Sequence, residues 1–153
     1  MVKISFGNRY SEIVKSLAVL LLLIGASGSA HSFCPDPHPS LEKEYSTSAI
    51  VFVGTALSER STIESDGFYD GTTYTLQVEK IFRGKAGQMI DVFSENSSGR
   101  FPMTVGNRYI VFGYSQGGRI QIDYCDHSGM LPEKSSILKK VRELKASEEQ
   151  EKK

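Results

Sequence analysis

The chain has 153 residues, with eighteen Lys and Arg against eighteen Asp and Glu, and only two cysteines. That length holds one domain with a modest core. The balanced charge argues against nucleic acid and against an anionic membrane surface as partners.

The first thirty residues differ from the rest. Lys3, Arg9 and Lys15 form a basic head, Leu17 to Ala26 (LAVLLLLIGA) is uncharged, and small residues follow as SGSA. This pattern predicts a secretory signal peptide over residues 1–30. The apolar run is half of the roughly twenty residues a membrane-spanning helix needs, so no membrane span is expected. Gly28 and Ala30 put small side chains at the third-last and last positions before a cut after Ala30, with Ser32 the second choice. Phe33 directly precedes Cys34, which argues against lipidation of that cysteine. The expected product is secreted or periplasmic and keeps fifteen basic and seventeen acidic side chains, a net charge of −2. Exported chains of this size often rely on disulfides, and two cysteines allow a single pairing.

Residues 31–132 read as one mainly β domain. Pro35, Pro37 and Pro39 are followed by SLEKEY (40–45), one or two helical turns. Ala49 to Leu57 (AIVFVGTAL) is almost continuously apolar, as a strand buried on both faces would be. Thr72 to Phe82 alternates, with Tyr74, Leu76 and Val78 on one face. Gln88 to Ser94, Arg108 to Ser115 and Arg119 to Cys125 complete a set of five strands. Glycine and asparagine punctuate them at Asp66-Gly67, Asp70-Gly71, Gly84 to Gly87, Asn96 to Gly99, Gly106-Asn107 and Gly117-Gly118. Residues 133–153 form a helix and a charged tail. Ile137, Leu138, Val141 and Leu144 make an apolar stripe at helical spacing, while EEQEKK at the end predicts fraying. The stripe suits docking on the core or, alternatively, a partner. Five strands and one helix predict a five-stranded OB-type Greek-key barrel with a C-terminal helix, a two-sheet sandwich being the competing arrangement.

The order of these segments carries a resemblance. A Cys-Pro segment leads to AIVFVGTAL, then YTLQVEKIFRGKAGQMIDV, VGNRYIVFGY and a late Cys125. Over Cys34 to Cys125 this resembles the tissue inhibitors of metalloproteinases and the wider netrin-like domains, in particular their bacterial relatives. The resemblance implies an OB-type barrel whose N-terminal segment is tied by disulfides to the end of the sheet, and a protein partner, an extracellular metalloprotease being the first candidate. It also implies a partner-binding segment, here Cys34, Pro35, Asp36, Pro37, His38 and Pro39. In the animal inhibitors the first mature residue is a cysteine whose α-amine and carbonyl chelate the target's zinc. A cut after Ala30 leaves His31, Ser32 and Phe33 ahead of Cys34, so that route is not expected here, and only Cys34 and Cys125 match the animal cysteines.

No residue set points to catalysis. His31, His38 and His127 lie in no recognisable hydrolase context, Asp66 and Asp70 sit by turn glycines, and Asp91 is a polar alternate on a strand. No cofactor is expected. Cys34, His38, Cys125 and His127 would make a two-Cys, two-His zinc set if the chain ends met, but export favours the disulfide. Phe101, Tyr109, Phe112, Tyr114 and Tyr124 could form an aromatic platform. The expected function is a secreted binding domain of protein-interaction or protease-inhibitor type, without catalytic activity. The alternative is a structural or polysaccharide-binding, envelope-associated module.

Overall fold

A computed structural model describes Cys34, residues 38–63 and residues 67–151. The expected signal peptide, Pro35, Asp36, Pro37 and Asp66 lie outside the described residues. The elements in chain order are α1 (Leu41–Thr47), β1 (Ile50–Ile63), β2 (Tyr69–Arg83), β3 (Met89–Glu95), β4 (Arg108–Gln116), β5 (Arg119–Gln121), β6 (Gly129–Met130) and α2 (Ser135–Glu151). Hydrogen bonding follows the ring β1-β2-β3-β5-β4, closed by antiparallel pairing of β4 with β1. The link between β3 and β5 is parallel, through Phe93 and Gln121. This ring is the connectivity of the expected OB-type Greek-key barrel.

Alternation along the strands decides what lies inside. Phe52, Ala56, Tyr74, Leu76, Val92 and Val111 belong to an inner core with Phe101, Met103 and Ile122. The opposite faces of β1 and β4 are apolar too. Val51, Val53, Ile110 and Phe112 form a second, outer core with Tyr45 of α1, Phe82 of β2 and Val141 of α2. That is why AIVFV and YIVF read as unbroken apolar runs: one face packs inward, the other under the helices. Ile137, Leu138 and Leu144 pack against the outer core, so the helical stripe docks on the barrel.

Four expectations need correcting. Asp70-Gly71 is not a turn but part of β2, Gly71 pairing with both Thr62 and Glu95. A Cβ at Gly71 would stand 2.7 Å from the Phe93 ring, so glycine serves close packing there. β5 stops at Gln121 instead of reaching Cys125, because the Asp123 and Cys125 N–H groups turn to the side-chain carboxylates described below and the Tyr124 N–H to the Gly99 carbonyl. The two-residue β6 pairs with β4 beyond it and escaped the strand pattern. The last turn of α2 holds its helix to Glu151, where fraying was expected. Glu148 explains this: its carboxylate lies 3.3 Å from the Tyr45 hydroxyl and 3.4 Å from the Arg83 guanidinium.

The β4–β5 turn shows local sequence dictating geometry. Gln116 pairs with Arg119, leaving Gly117 and Gly118 as a two-residue loop with φ of 57° and 75°. Only glycine adopts two successive positive φ angles at little cost, and such turns match the twist of the flanking strands.

Candidate binding site at the Cys34–Cys125 disulfide

Cys34 and Cys125 form a disulfide that spans 91 positions, with their Cα atoms 5.4 Å apart. This spacing lies within the usual range for a bridge. The thiolates a zinc set would need are thereby consumed. The two histidines of that set are engaged elsewhere: His38 Nδ1 is 3.1 Å from the Cys125 carbonyl, and His127 is paired with Glu44.

The loop that presents Cys125 is folded on its own carboxylates. The Cys125 N–H donates to Asp123 Oδ1 at 2.6 Å, the Ser128 N–H to Asp126 Oδ1 at 2.6 Å and the Asp123 N–H to Asp126 Oδ2 at 3.1 Å. Asp-x-Cys and Asp-x-Ser are both spacings at which an aspartate closes on the backbone two residues ahead. The buried Ser128 then accepts the Phe112 N–H at 2.8 Å, fixing the loop to β4.

Helix α1 supplies the other wall. Ser40 caps it by accepting the Lys43 N–H at 3.2 Å. This start turns Glu44 and Tyr45 inward. Glu44 is buried, and its carboxylate accepts the His127 backbone N–H at 2.9 Å as well as meeting the imidazole Nδ1. A buried carboxylate requires such partners. The Tyr45 hydroxyl lies 3.1 Å from the Phe82 carbonyl. Burial, reinforced by the Glu148 carboxylate, pushes that phenol up to about 12.

Between these walls lies a cleft of about 400 Å³, bordered by His38, Pro39, Ser97, Tyr114, Asp123 and Asp126. Burial pushes the Asp126 carboxyl up to about 7 against the pull of its Ser128 and Asp123 hydrogen bonds, with the Glu44 charge adding to the rise. Partial desolvation of its hydroxyl also raises the Tyr114 phenol, helped by Asp123, although the residue is exposed. The cleft thus combines acidic, hydroxyl and imidazole groups with a proline edge, a mixture suited to polar contacts with a peptide.

Of the candidate residues, the structure brings Cys34, Cys125, His38 and Pro39 to this place. Asp70 and Asp91 lie elsewhere, on β2 and β3. The aromatic platform does not form. Phe101, Tyr109 and Phe112 are core residues, while Tyr114 and Tyr124 are exposed. Glu44 and Asp126 were not singled out in the sequence. Glu44 meets His127 across 83 positions, which no local pattern reveals. Among the described residues no group of three or more His, Cys, Asp and Glu could hold a metal ion, and no helix is long and apolar enough to cross a membrane. The chain matches no protein-family model and no curated protein.

Proposed function

We propose that the protein is a secreted, non-catalytic binding domain of the tissue-inhibitor or netrin-like type, which presents its N-terminal segment to a protein partner. An extracellular metalloprotease is the first candidate. The observation that carries this reading is the tether. A segment that leads into α1 is fastened by Cys34 to the Asp123–Ser128 loop, where His38 also meets the Cys125 carbonyl, beside an open cleft. Fixing a recognition segment in advance lowers the entropy lost when it is bound. Inhibition would then proceed by cleft filling with residues 34–39. A chain cut after Ala30 carries its α-amine three residues before Cys34, too far to replace a zinc–nitrogen bond of about 2 Å.

The test joins mass spectrometry of the exported chain's N-terminus with an inhibition assay against a panel of zinc endopeptidases. The expected outcome is a chain beginning at His31 and micromolar inhibition of at least one protease. That inhibition should survive acetylation of the N-terminal amine and be lost in Cys34→Ser. Tight inhibition by a chain beginning at Cys34 would restore the chelating route. Absence of inhibition across the panel would remove the protease as partner.

A further inference from the structure

The outward face of β1, β2 and β3 carries polar side chains that share no place with the disulfide cleft. Register sets Arg60 opposite Thr73 and Thr73 opposite Phe93, with Thr75 opposite Asp91 in the next row. Tyr74 and Val92 point into the barrel, so by alternation Thr73, Thr75, Asp91 and Phe93 point out. β5 closes the far side of this row and lays the Arg119 guanidinium over the Phe93 ring, 4.9 Å from its centre. The result is a groove of about 390 Å³ lined by Arg60, Thr62, Thr73, Asp91, Phe93 and Arg119. That volume falls within the ~300–1,000 Å³ of small-ligand sites.

Phe93 faces outward, yet the residue is only 3% exposed. Arg119 covers it from above, and Gly71 beside it leaves the room it fills. A guanidinium resting on an aromatic ring is held in place by its attraction to the π face. The floor of the groove is therefore a fixed arginine–phenyl stack.

The rim offers both halves of a hydrogen bond. Arg60 Nη2 donates to Asp91 Oδ2 at 2.9 Å, the Thr75 hydroxyl donates to Asp91 Oδ1 at 2.7 Å, and Arg119 Nη1 donates to Asp70 Oδ2 at 3.0 Å. The hydroxyls of Thr62 and Thr73 lie 3.1 Å apart. A guanidinium has five N–H donors, and each arginine commits one nitrogen to a carboxylate, so most of each fork stays available. The two arginines and two aspartates cancel in charge. A polyanion only accepts hydrogen bonds, and its phosphates would meet the carboxylates of Asp70 and Asp91. A polyhydroxylated chain both donates and accepts, and has apolar C–H faces to lay on a flat stack.

We propose that this groove binds a neutral oligosaccharide segment. The location agrees with the general behaviour of OB-type barrels, whose ligand face over strands 2 and 3 is flanked by the β1–β2 and β4–β5 turns. Thr62 stands near the first of these turns and Gly118 in the second, and both line the groove. The site is separate from the peptide-presenting cleft, so it stands whether or not a protease is bound.

The experiment titrates the isotopically labelled exported protein with chitohexaose, cellohexaose and maltohexaose, and with a twelve-residue oligothymidylate, following backbone amide shifts. The expected result is saturable shifts at Arg60, Thr73, Phe93 and Arg119 with at least one hexasaccharide and none with the oligonucleotide. Arg60→Ala should weaken that binding about tenfold, as the loss of one hydrogen bond to a charged group would. Arg119→Lys, which keeps the charge but not the planar fork, should do the same, with the amide spectrum of both variants still that of the folded protein away from the groove. Three outcomes overturn the proposal: no saturable shift with any hexasaccharide, shifts centred on the Cys125 loop instead, or equal binding of the oligonucleotide.

Discussion

The two cores differ in how they are closed. The inner one is sealed by the barrel's own ring of strands, with Phe101, Met103 and Ile122 plugging it from adjoining segments. The outer one has only the outward faces of β1 and β4 and the Phe82 end of β2 below. Above, it depends on α1 and α2, which come from opposite ends of the domain. Backbone hydrogen bonds hold the first core as well as packing. Side-chain packing and a few polar links hold the second. The stability of the outer layer is therefore the more exposed to single changes.

Removing α2 tests this difference most severely. Truncation after Pro132 uncovers Val51, Val53, Ile110 and Phe112 and deletes Val141 with its three half-buried neighbours. Full burial of one such side chain contributes about 1.5–3 kcal/mol, so a loss on the order of 5 kcal/mol is expected by chemical denaturation. If amide exchange in Leu76 and Val92 accelerates as much as in Phe112, the two cores are a single cooperative unit and the distinction fails.

Opening the disulfide comes next. Cys125→Ser releases a closure of 91 positions, worth about 4–5 kcal/mol in the chain-entropy description, an upper value. A marked fall in melting temperature and one free thiol should result. Exchange should rise first in α1 and in the Asp123–Ser128 loop, since Glu44 and His127 would then be the main link between them.

A smaller effect is expected from truncation after Ser147. It removes Glu148, and with it the contacts to Tyr45 and Arg83. These groups are partly solvated, so a loss of about 1 kcal/mol is expected. Tyr45→Phe on top of the truncation should cost less than in the full chain, where the hydroxyl meets Glu148 as well as the Phe82 carbonyl. Full additivity of the two changes would show that the hydroxyl works through the Phe82 carbonyl alone.

The smallest effects should appear on titration. The Asp126 carboxyl, buried and near Glu44, keeps its proton up to about 7 in the fold, whereas an unfolded chain gives it up near 4. Between these values the unfolded state binds fewer protons, so this residue makes stability fall as pH rises, flattening above 7. Asp126→Asn should remove that slope. Asp91 and Glu79 act in the opposite sense. The Thr75 hydroxyl bond to Asp91 and the Arg108 bond to Glu79 hold these carboxyls low, so their contribution is present at neutral pH and lost as pH falls below the ordinary carboxylate range. Denaturant midpoints followed from roughly pH 3 to pH 8 check both signs.

What could be read from the residues follows the same division. The ring of strands was legible because β2 alternates where one face is wet, and β1 and β4 run unbroken where both faces are covered. The pairing of Cys34 with Cys125 was legible because two cysteines allow no other. Asp70-Gly71 misled, since a glycine that makes room for Phe93 looks the same in sequence as one that turns the chain. β5 was drawn too long because Ile122 and Tyr124 keep the alternation of Ile120 although the Asp126 and Asp123 carboxylates take the Asp123 and Cys125 N–H groups. The wall built by Glu44 and His127, and the clasp of Glu148 on Tyr45 and Arg83, join residues whose distance along the chain hides their meeting.

That clasp also has a temporal meaning. Tyr45 and Glu148 are 103 positions apart, and the disulfide spans 91. A chain emerging in order from a ribosome or a translocation channel can pair β1 with β2 early, since hairpins need only neighbours. It cannot finish covering the outer face of β1 until α2 has emerged. Throughout that interval the outer face around Val51 and Val53 has only α1 to cover it. Completion of the outer layer therefore waits on the last helix to arrive.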